Sequence, residues 1–239
     1  VTGVQTCALP IWPLRTRTSR PPAETTAVSG WVCPGHRGYG PGMTDTAAAT
    51  VRLPAPERRQ QLLCVALRVF ARLGYHETSM SALASEAGVT KPVLYQHFAS
   101  KHDLFKEVLA QTGDRLLGAI SERAQEQDNP RNAVEAGFRA YYHFFDDSPD
   151  AYAVLYGGSL GNDPEFRHDR RRVRDAFAEM VAGLIKAADH ADALAMAAGV
   201  NGIPEAMIRH WMHEGRCRSA DEMATLTARL AWGGLERLA

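Results

Sequence analysis

The chain has 239 residues, 45% hydrophobic and 23% charged, with 27 basic side chains against 27 acidic ones. That is the mixture of a globular protein able to bury a core, which excludes collagen-like and wholly disordered chains. No apolar run approaches the roughly 18 residues of a membrane span, so no membrane partner is expected.

Four cysteines, Cys7, Cys33, Cys64 and Cys217, form no C-x-x-C pair and no disulfide framework. A reducing compartment, the cytoplasm, is therefore expected. Charge is unevenly spread. Residues 51–112 carry 8 basic and 5 acidic side chains, whereas residues 113–239 carry 15 and 20. A mildly basic unit joined to an acidic remainder permits a polyanionic partner for the first of them.

Residues 1–50 are dominated by Pro, Gly, Ser and Thr and show no period of 2 or 3.6, so they do not read as a folded unit. Residues 1–11, VTGVQTCALPI, resemble the translation of a sequencing-library adapter, which makes Met43 the expected natural start. The alternative is a natural basic arm. A secretory signal fits poorly, because the apolar stretch near Leu9 is short and interrupted by Pro10 and Pro13.

From Pro56 onward the chain reads as all-α. Leu63, Ala66, Leu67, Phe70 and Ala71 recur at helical spacing until Gly74. Thr78 and Ser79 offer an N-cap for a short helix over 80–87. Gly88-Val89-Thr90 turns the chain into a second short helix over 91–98, with Pro92 tolerated in its first turn. Ser100 caps a long helix over 101–125, on which Leu104, Phe105, Val108, Leu109, Leu116 and Ile120 form one stripe. Further helices are expected over 131–145, opened by Pro130, and between Pro149 and Gly157. Others follow over 164–188, opened by Pro164, over 189–214 and over 219–238. The total is about nine helices, with no strand and no internal repeat.

Residues 80–98 have the spacing of a helix-turn-helix. Ala84 sits where the two helices cross, and Gly88, four residues on, occupies the turn, where a positive φ favours glycine. Leu83, Val89 and Leu94 plug the space between the helices. The second helix is then held outward as a rod able to enter a major groove.

The stretch GYHETSMSALASEAGVTKPVLYQHFASKHDLF, residues 74–105, closely resembles the signature of TetR-family transcriptional regulators. Gly-aromatic ending a helix opens the stretch as Gly74-Tyr75, and a Tyr-x-x-Phe near the end of the third helix and Ser-Lys opening the fourth are carried by Tyr95, His97, Phe98, Ser100 and Lys101. The tight part of the resemblance spans about residues 56–110. Pro92 departs from it, standing where a small residue such as Gly is commoner and removing a backbone amide from any phosphate contact.

The resemblance implies a three-helix DNA-binding head over 51–100 and a helical body for effector binding and dimerisation over 101–239. Such a protein is a ligand-responsive regulator, most often a repressor, binding a pseudo-palindromic operator as a homodimer. An activator or an effector-free regulator is the alternative. Tyr95 is expected to contact phosphate, and Lys91 and Gln96 to read base edges. His97 is either a surface residue or a phosphate contact. Lys101 at a helix N-terminus is electrostatically misplaced unless a phosphate faces it. Thr78, Ser79 and Thr90 are caps that, beside DNA, can also donate to phosphates.

In the body Phe138, Tyr141, Tyr142, Phe145, Tyr156, Phe177, Met180, Met207 and Trp211 form a dense apolar group. Core packing explains most of them. The family's architecture implies that a subset lines an effector cavity, and a small, largely apolar effector is expected. Trp211, Met212, Leu226, Leu230 and Leu235 are candidates for a dimer face on the last two helices. Arg170, Arg171, Arg172 and Arg174, flanked by Asp169 and Asp175, read as a self-neutralised solvated helix. His210 and His213 with Glu214, and His143 with Asp146 and Asp147, lack further ligands in sequence, so no metal is expected. No nucleophile with a base and an orienting group is readable. No catalytic residue and no cofactor is expected, and an all-helical enzyme is the competing class.

Overall fold

The computed structural model describes residues 53–157, 166–183, 185 and 187–235. Among the described residues it forms nine α-helices and no strand. Helix α1 (Ala55–Leu73) buries Leu62, Leu63, Ala66, Leu67, Val69 and Phe70 and stops at Gly74. Gly74 takes a φ of 79° and returns its amide to the Phe70 carbonyl. Helices α2 (Met80–Glu86) and α3 (Lys91–His97) are short, and α4 (Lys101–Gln125) is long. The Ser79 and Ser100 side chains accept from the amides of Ala82 and Asp103, the N-caps expected of these residue types.

The body continues with α5 (Pro130–Asp147), α6 (Pro149–Tyr156), α7 (Arg167–Ala182), α8 (His190–His213) and α9 (Ala220–Leu235). Asn129 and Asp189 cap α5 and α8. Ser219 and Glu222 exchange hydrogen bonds in a capping box that opens α9. Helix α7 is shorter than the expected 164–188. It starts after Phe166 and ends at Gly183, and Pro164 lies outside the described residues. Phe166, at the N-cap, has its ring fully buried against Tyr75 and Phe105, with His102 stacked on it at 5.4 Å.

Helix α5 packs along both α4 and α9, α7 lies on α4 and α8, and α1 rests on α4 and α6. One apolar core runs continuously from Leu62 in α1 to Ala231 in α9, and a smaller cluster of Ala182, Ala193 and Ala197 joins α7 to α8. Fully enclosed Phe105, Tyr142 and Phe145 each contribute about 1.5–3 kcal/mol by leaving water. The Tyr142 hydroxyl donates to Thr227 at 2.7 Å, and Thr227 passes its own hydrogen to the Met223 carbonyl at 2.8 Å. Helices α4 and α7 approach closely at Gly113, where a Cβ would lie 2.8 Å from both methyls of Val173.

Candidate DNA-reading face and effector cavity

The turn between α2 and α3 is closed by the Val89 amide, which donates to the Ala84 carbonyl at 2.9 Å. Gly88 has a φ of 65° and open space around its Cβ position, so the backbone angle, not crowding, calls for glycine. Leu83, Ala84 and Leu94 are buried between the two helices and Val89 packs at their edge. With Leu94 and Phe98 turned inward, helical geometry turns Pro92 and Gln96 outward with Tyr95 beside them, and Lys91 is exposed at the N-terminus of α3. All four are exposed, Tyr95 by 50%. Thr90 and Ser79 flank this face at the N-termini of α3 and α2, and both are exposed.

Two residues expected on this face are committed elsewhere. Thr78 is buried, and its hydroxyl donates to the Gly74 carbonyl at 2.6 Å, closing the end of α1. Lys101 turns inward: its ammonium donates to the carbonyls of Tyr75 and Thr78, each at 2.8 Å, and lies over the Tyr75 ring. Backbone carbonyls thus supply the negative partner that a phosphate was expected to supply. His97 is half-buried at the end of α3, where its carbonyl accepts from Arg59. Arg59, which the sequence reading missed, also forks onto the Glu107 carboxylate and lies 4.4 Å from the Phe98 ring centroid. It ties α1, α3 and α4 together. The available signal was a basic residue on the polar side of α1, which does not by itself specify a partner 48 residues away.

In the body a cavity of about 520 Å³ opens between α4 and α8. Leu116 of α4, Tyr141 of α5, and Tyr152, Leu155 and Tyr156 of α6 form its aromatic and aliphatic side. Helix α7 contributes Arg167, Arg170, Val173, Arg174 and Phe177, and α8 contributes Asn201, Pro204, Glu205 and Arg209. Burial pushes the Tyr156 hydroxyl up to about 12, and it holds Tyr141 well above the usual phenol range, so both stay protonated.

Tyr141, Tyr156 and Phe177 of the expected group therefore line the cavity. The others do not. Phe138, Tyr142, Phe145 and Trp211 are buried in the continuous core, where Tyr142 bonds Thr227 and the Trp211 indole N–H donates to the Arg218 carbonyl. Met180 and Met207 pack at the margin of the same core. The arginine run also divides. Arg171 pairs with Asp175 at 3.4 Å, as a self-neutralised helix face would. Arg170 and Arg174 instead face the cavity, and Arg170 donates to the Val154 carbonyl of α6 at 3.1 Å. Arg167, Arg170 and Arg174 make the α7 wall basic within an acidic half of the chain, whereas on α8 Arg209 pairs with Glu205 at 3.4 Å.

Leu226 and Leu230 of α9 are exposed by 39% and 59%, one helical turn apart. Trp211, grouped with them from the sequence, is buried within the chain, and the side chain of Leu235 lies outside the described residues. Among the described residues no helix is long and apolar enough to cross a membrane, and no group of His, Cys, Asp and Glu is placed to hold a metal ion.

Residues 62–108, from α1 into α4, match the family model for bacterial regulatory proteins of the tetR family. Over 190 residues the chain is 31% identical to the HTH-type transcriptional activator FasR of Mycolicibacterium smegmatis, covering 78% of this chain and 87% of that one. A TetR-like transcriptional regulator from Rhodococcus sp. RHA1 superposes with a TM-score of 0.64 at 31% identity, over 77% of this chain and 99% of that one. FadR of Bacillus subtilis, solved in complex with stearoyl-CoA, shares the fold with a TM-score of 0.64 at 16% identity, over 72% and 96% of the two chains. The helix-turn-helix built around Ala84, Gly88 and Leu94 and the likeness to FasR, which extends through the body, lead to one assignment: the chain belongs to the tetR family of bacterial regulatory proteins and is a DNA-binding transcriptional regulator.

Proposed function

We propose that the protein is an effector-controlled regulator whose ligand is a small anionic amphiphile. The observation that carries this reading is the cavity itself: an aromatic interior with Arg167, Arg170 and Arg174 on the α7 wall. Guanidinium groups pair with carboxylate or phosphate, and the aromatic side accepts an apolar chain. An acyl thioester, the class of ligand bound by the Bacillus FadR, has this combination. The largely apolar effector suggested by residue types alone is thus replaced by one with a charged end.

On the DNA side, Lys91 and Gln96 read base edges from α3, while Tyr95, Ser79 and Thr90 hydrogen-bond phosphates around them. His97 stands at the rim of this surface. Two copies pair through α8 and α9, with Leu226 and Leu230 covered by the partner and Ala195, Ala198, Gly202 and Ala206 allowing close approach of α8. A dimer of this kind presents its reading helices to half-sites about 34–36 Å apart. Effector binding favours one position of α7, whose first residue neighbour, Phe166, is packed on Tyr75 of the head. Release of DNA then follows from differential affinity for the two settings. Whether release represses or activates depends on where the operator lies relative to the promoter.

The test starts from an operator selected out of randomised DNA and proceeds by gel shift. Long-chain acyl thioesters or fatty carboxylates should release the operator, and Arg174→Gln should raise the concentration needed about tenfold without changing operator affinity. Release by neutral or cationic amphiphiles but not by anionic ones would reject the anionic reading.

A further inference from the structure

Helix α8 departs from regular helix chemistry where it meets the cavity. Asn201 and Pro204 both line it. Pro204, inside the helix, has no amide hydrogen, so the Val200 carbonyl lacks the donor that residue 204 would ordinarily supply. One residue after Val200, the Asn201 carboxamide is enclosed, and neither its Nδ2 nor its Oδ1 has a hydrogen-bond partner among the described residues. Asparagine is a poor helix-interior residue because it competes for backbone groups or seeks water. Here it pairs with no backbone group among the described residues. A ligand group that pairs with this enclosed amide gains a hydrogen bond shielded from bulk water.

The surroundings select the group that fits. A carboxylate or phosphate is drawn to Arg167, Arg170 and Arg174 on α7. Asn201 is neutral and stands on the α8 wall, where Glu205 and Arg209 pair with each other at 3.4 Å and leave no net charge. The carboxamide offers the N–H donors of Nδ2 and the acceptor Oδ1. A neutral group that answers it is a secondary amide, which in its trans form turns its carbonyl and its N–H to opposite sides and so meets Asn201 with one of them at a time. Its carbonyl accepts from Asn201 Nδ2, or its N–H donates to Asn201 Oδ1. We propose that Asn201 is a specificity residue of the cavity and reads a secondary amide in an anionic amphiphile whose charged end lies at the α7 arginines. The proposal rests on the reading of the cavity as an effector site for anionic amphiphiles.

Titration calorimetry of the full chain with N-dodecanoylglycine and with pentadecanoate tests it. The two probes have chains of equal length and one carboxylate each, and differ by the amide. The wild-type protein should bind N-dodecanoylglycine about tenfold more tightly, the effect of one well-made hydrogen-bonded pair. Asn201→Leu, of similar volume, should bind both probes equally and, without ligand, should melt no lower than wild type because an unmet amide has been removed. Asn201→Ala should lose the preference as well. Equal binding of the two probes by wild type, or a preference that survives in both variants, would overturn Asn201 as the amide reader and leave the anionic-effector reading standing. Failure of both probes to bind wild type would overturn the two together.

Discussion

The ammonium of Lys101 lies 4.2 Å from the centroid of the Tyr75 ring and donates a 2.8 Å hydrogen bond to the carbonyl of the same residue. With a second bond of 2.8 Å to Thr78, it fastens the α1–α2 connection onto the first turn of α4. These carbonyls offset the unfavourable position of a cation at a helix N-terminus. Lys101→Met should therefore destabilise the protein by about 2 kcal/mol in urea melts, the scale of hydrogen bonds to a charged donor. The slope of log affinity for DNA against log salt should stay at its wild-type value. Full stability with a slope smaller by about 1 would instead place this ammonium on a phosphate.

Tyr95, Lys91 and Gln96 are all exposed on α3 but should respond differently. Tyr95→Phe removes a hydroxyl that reads no base, so affinity should fall by a similar factor on every sequence. Lys91→Ala and Gln96→Ala should each relax the preference at one position per half-site, by about 1–3 kcal/mol. Selection from a randomised operator separates the cases. Variants at 91 and 96 that return the wild-type consensus would show that bases are read elsewhere.

The head was legible in the sequence because its constraints are local. The Ala84–Gly88–Leu94 spacing sets the turn within eleven residues, and the alternation of Leu94 with Tyr95 separates core from surface directly. The cavity was not legible, because aromatics at helical spacing look alike whether they fill a core or line a void. Tyr141 and Tyr142 are neighbours in sequence, yet one borders the cavity and the other is bonded to Thr227, 85 residues away. The arginines show the same limit. Asp175, four residues on, accounts for Arg171, but only the packing of α7 against α6 and α8 brings Arg170 and Arg174 to the cavity.

Burial pushes the Tyr142 hydroxyl up to about 12. Below about pH 10 the phenol is protonated in both folded and unfolded chains, and its contribution to stability is complete. Between pH 10 and 12 the unfolded chain releases the proton first, so stability falls as pH rises. Tyr142→Phe should lose about 1 kcal/mol at neutral pH, since Thr227 keeps its bond to Met223. It should also show a shallower decline above pH 10. Urea melts at pH 7, 9 and 10.5 measure both, and an unchanged alkaline slope would show that Tyr142 does not govern it.

Leu226 and Leu230 occupy one exposed strip of α9. Leu230→Glu places a charge where a partner helix would cover an apolar side chain, and burying an unpaired charge is prohibitive. Sedimentation should shift from dimer to monomer, and operator binding should fall with it because two heads are needed for two half-sites. A variant that remains dimeric would move the interface off this face.

Gly113 and Val173 join the cavity wall to the long helix α4. A Cβ at Gly113 would stand 2.8 Å from each Val173 methyl, closer than carbon atoms can pack. Val173 is β-branched and stiff at χ1, so it cannot swing both methyls away. Gly113→Ala should therefore push α7 off α4, overpacking by about 1–3 kcal/mol and regaining about 1 kcal/mol from the better helix propensity of alanine. The displacement has two further readouts, because Val173 lines the cavity and α7 begins beside Phe166, which is packed on Tyr75. Effector affinity should weaken, and operator affinity without effector should change in the same variant. Val173→Ala in the Gly113→Ala background removes the clashing methyls and should restore much of the loss, giving a coupling of about 1 kcal/mol in a double-mutant cycle. Additive effects of the two substitutions would show that α4 and α7 do not bear on each other at this point.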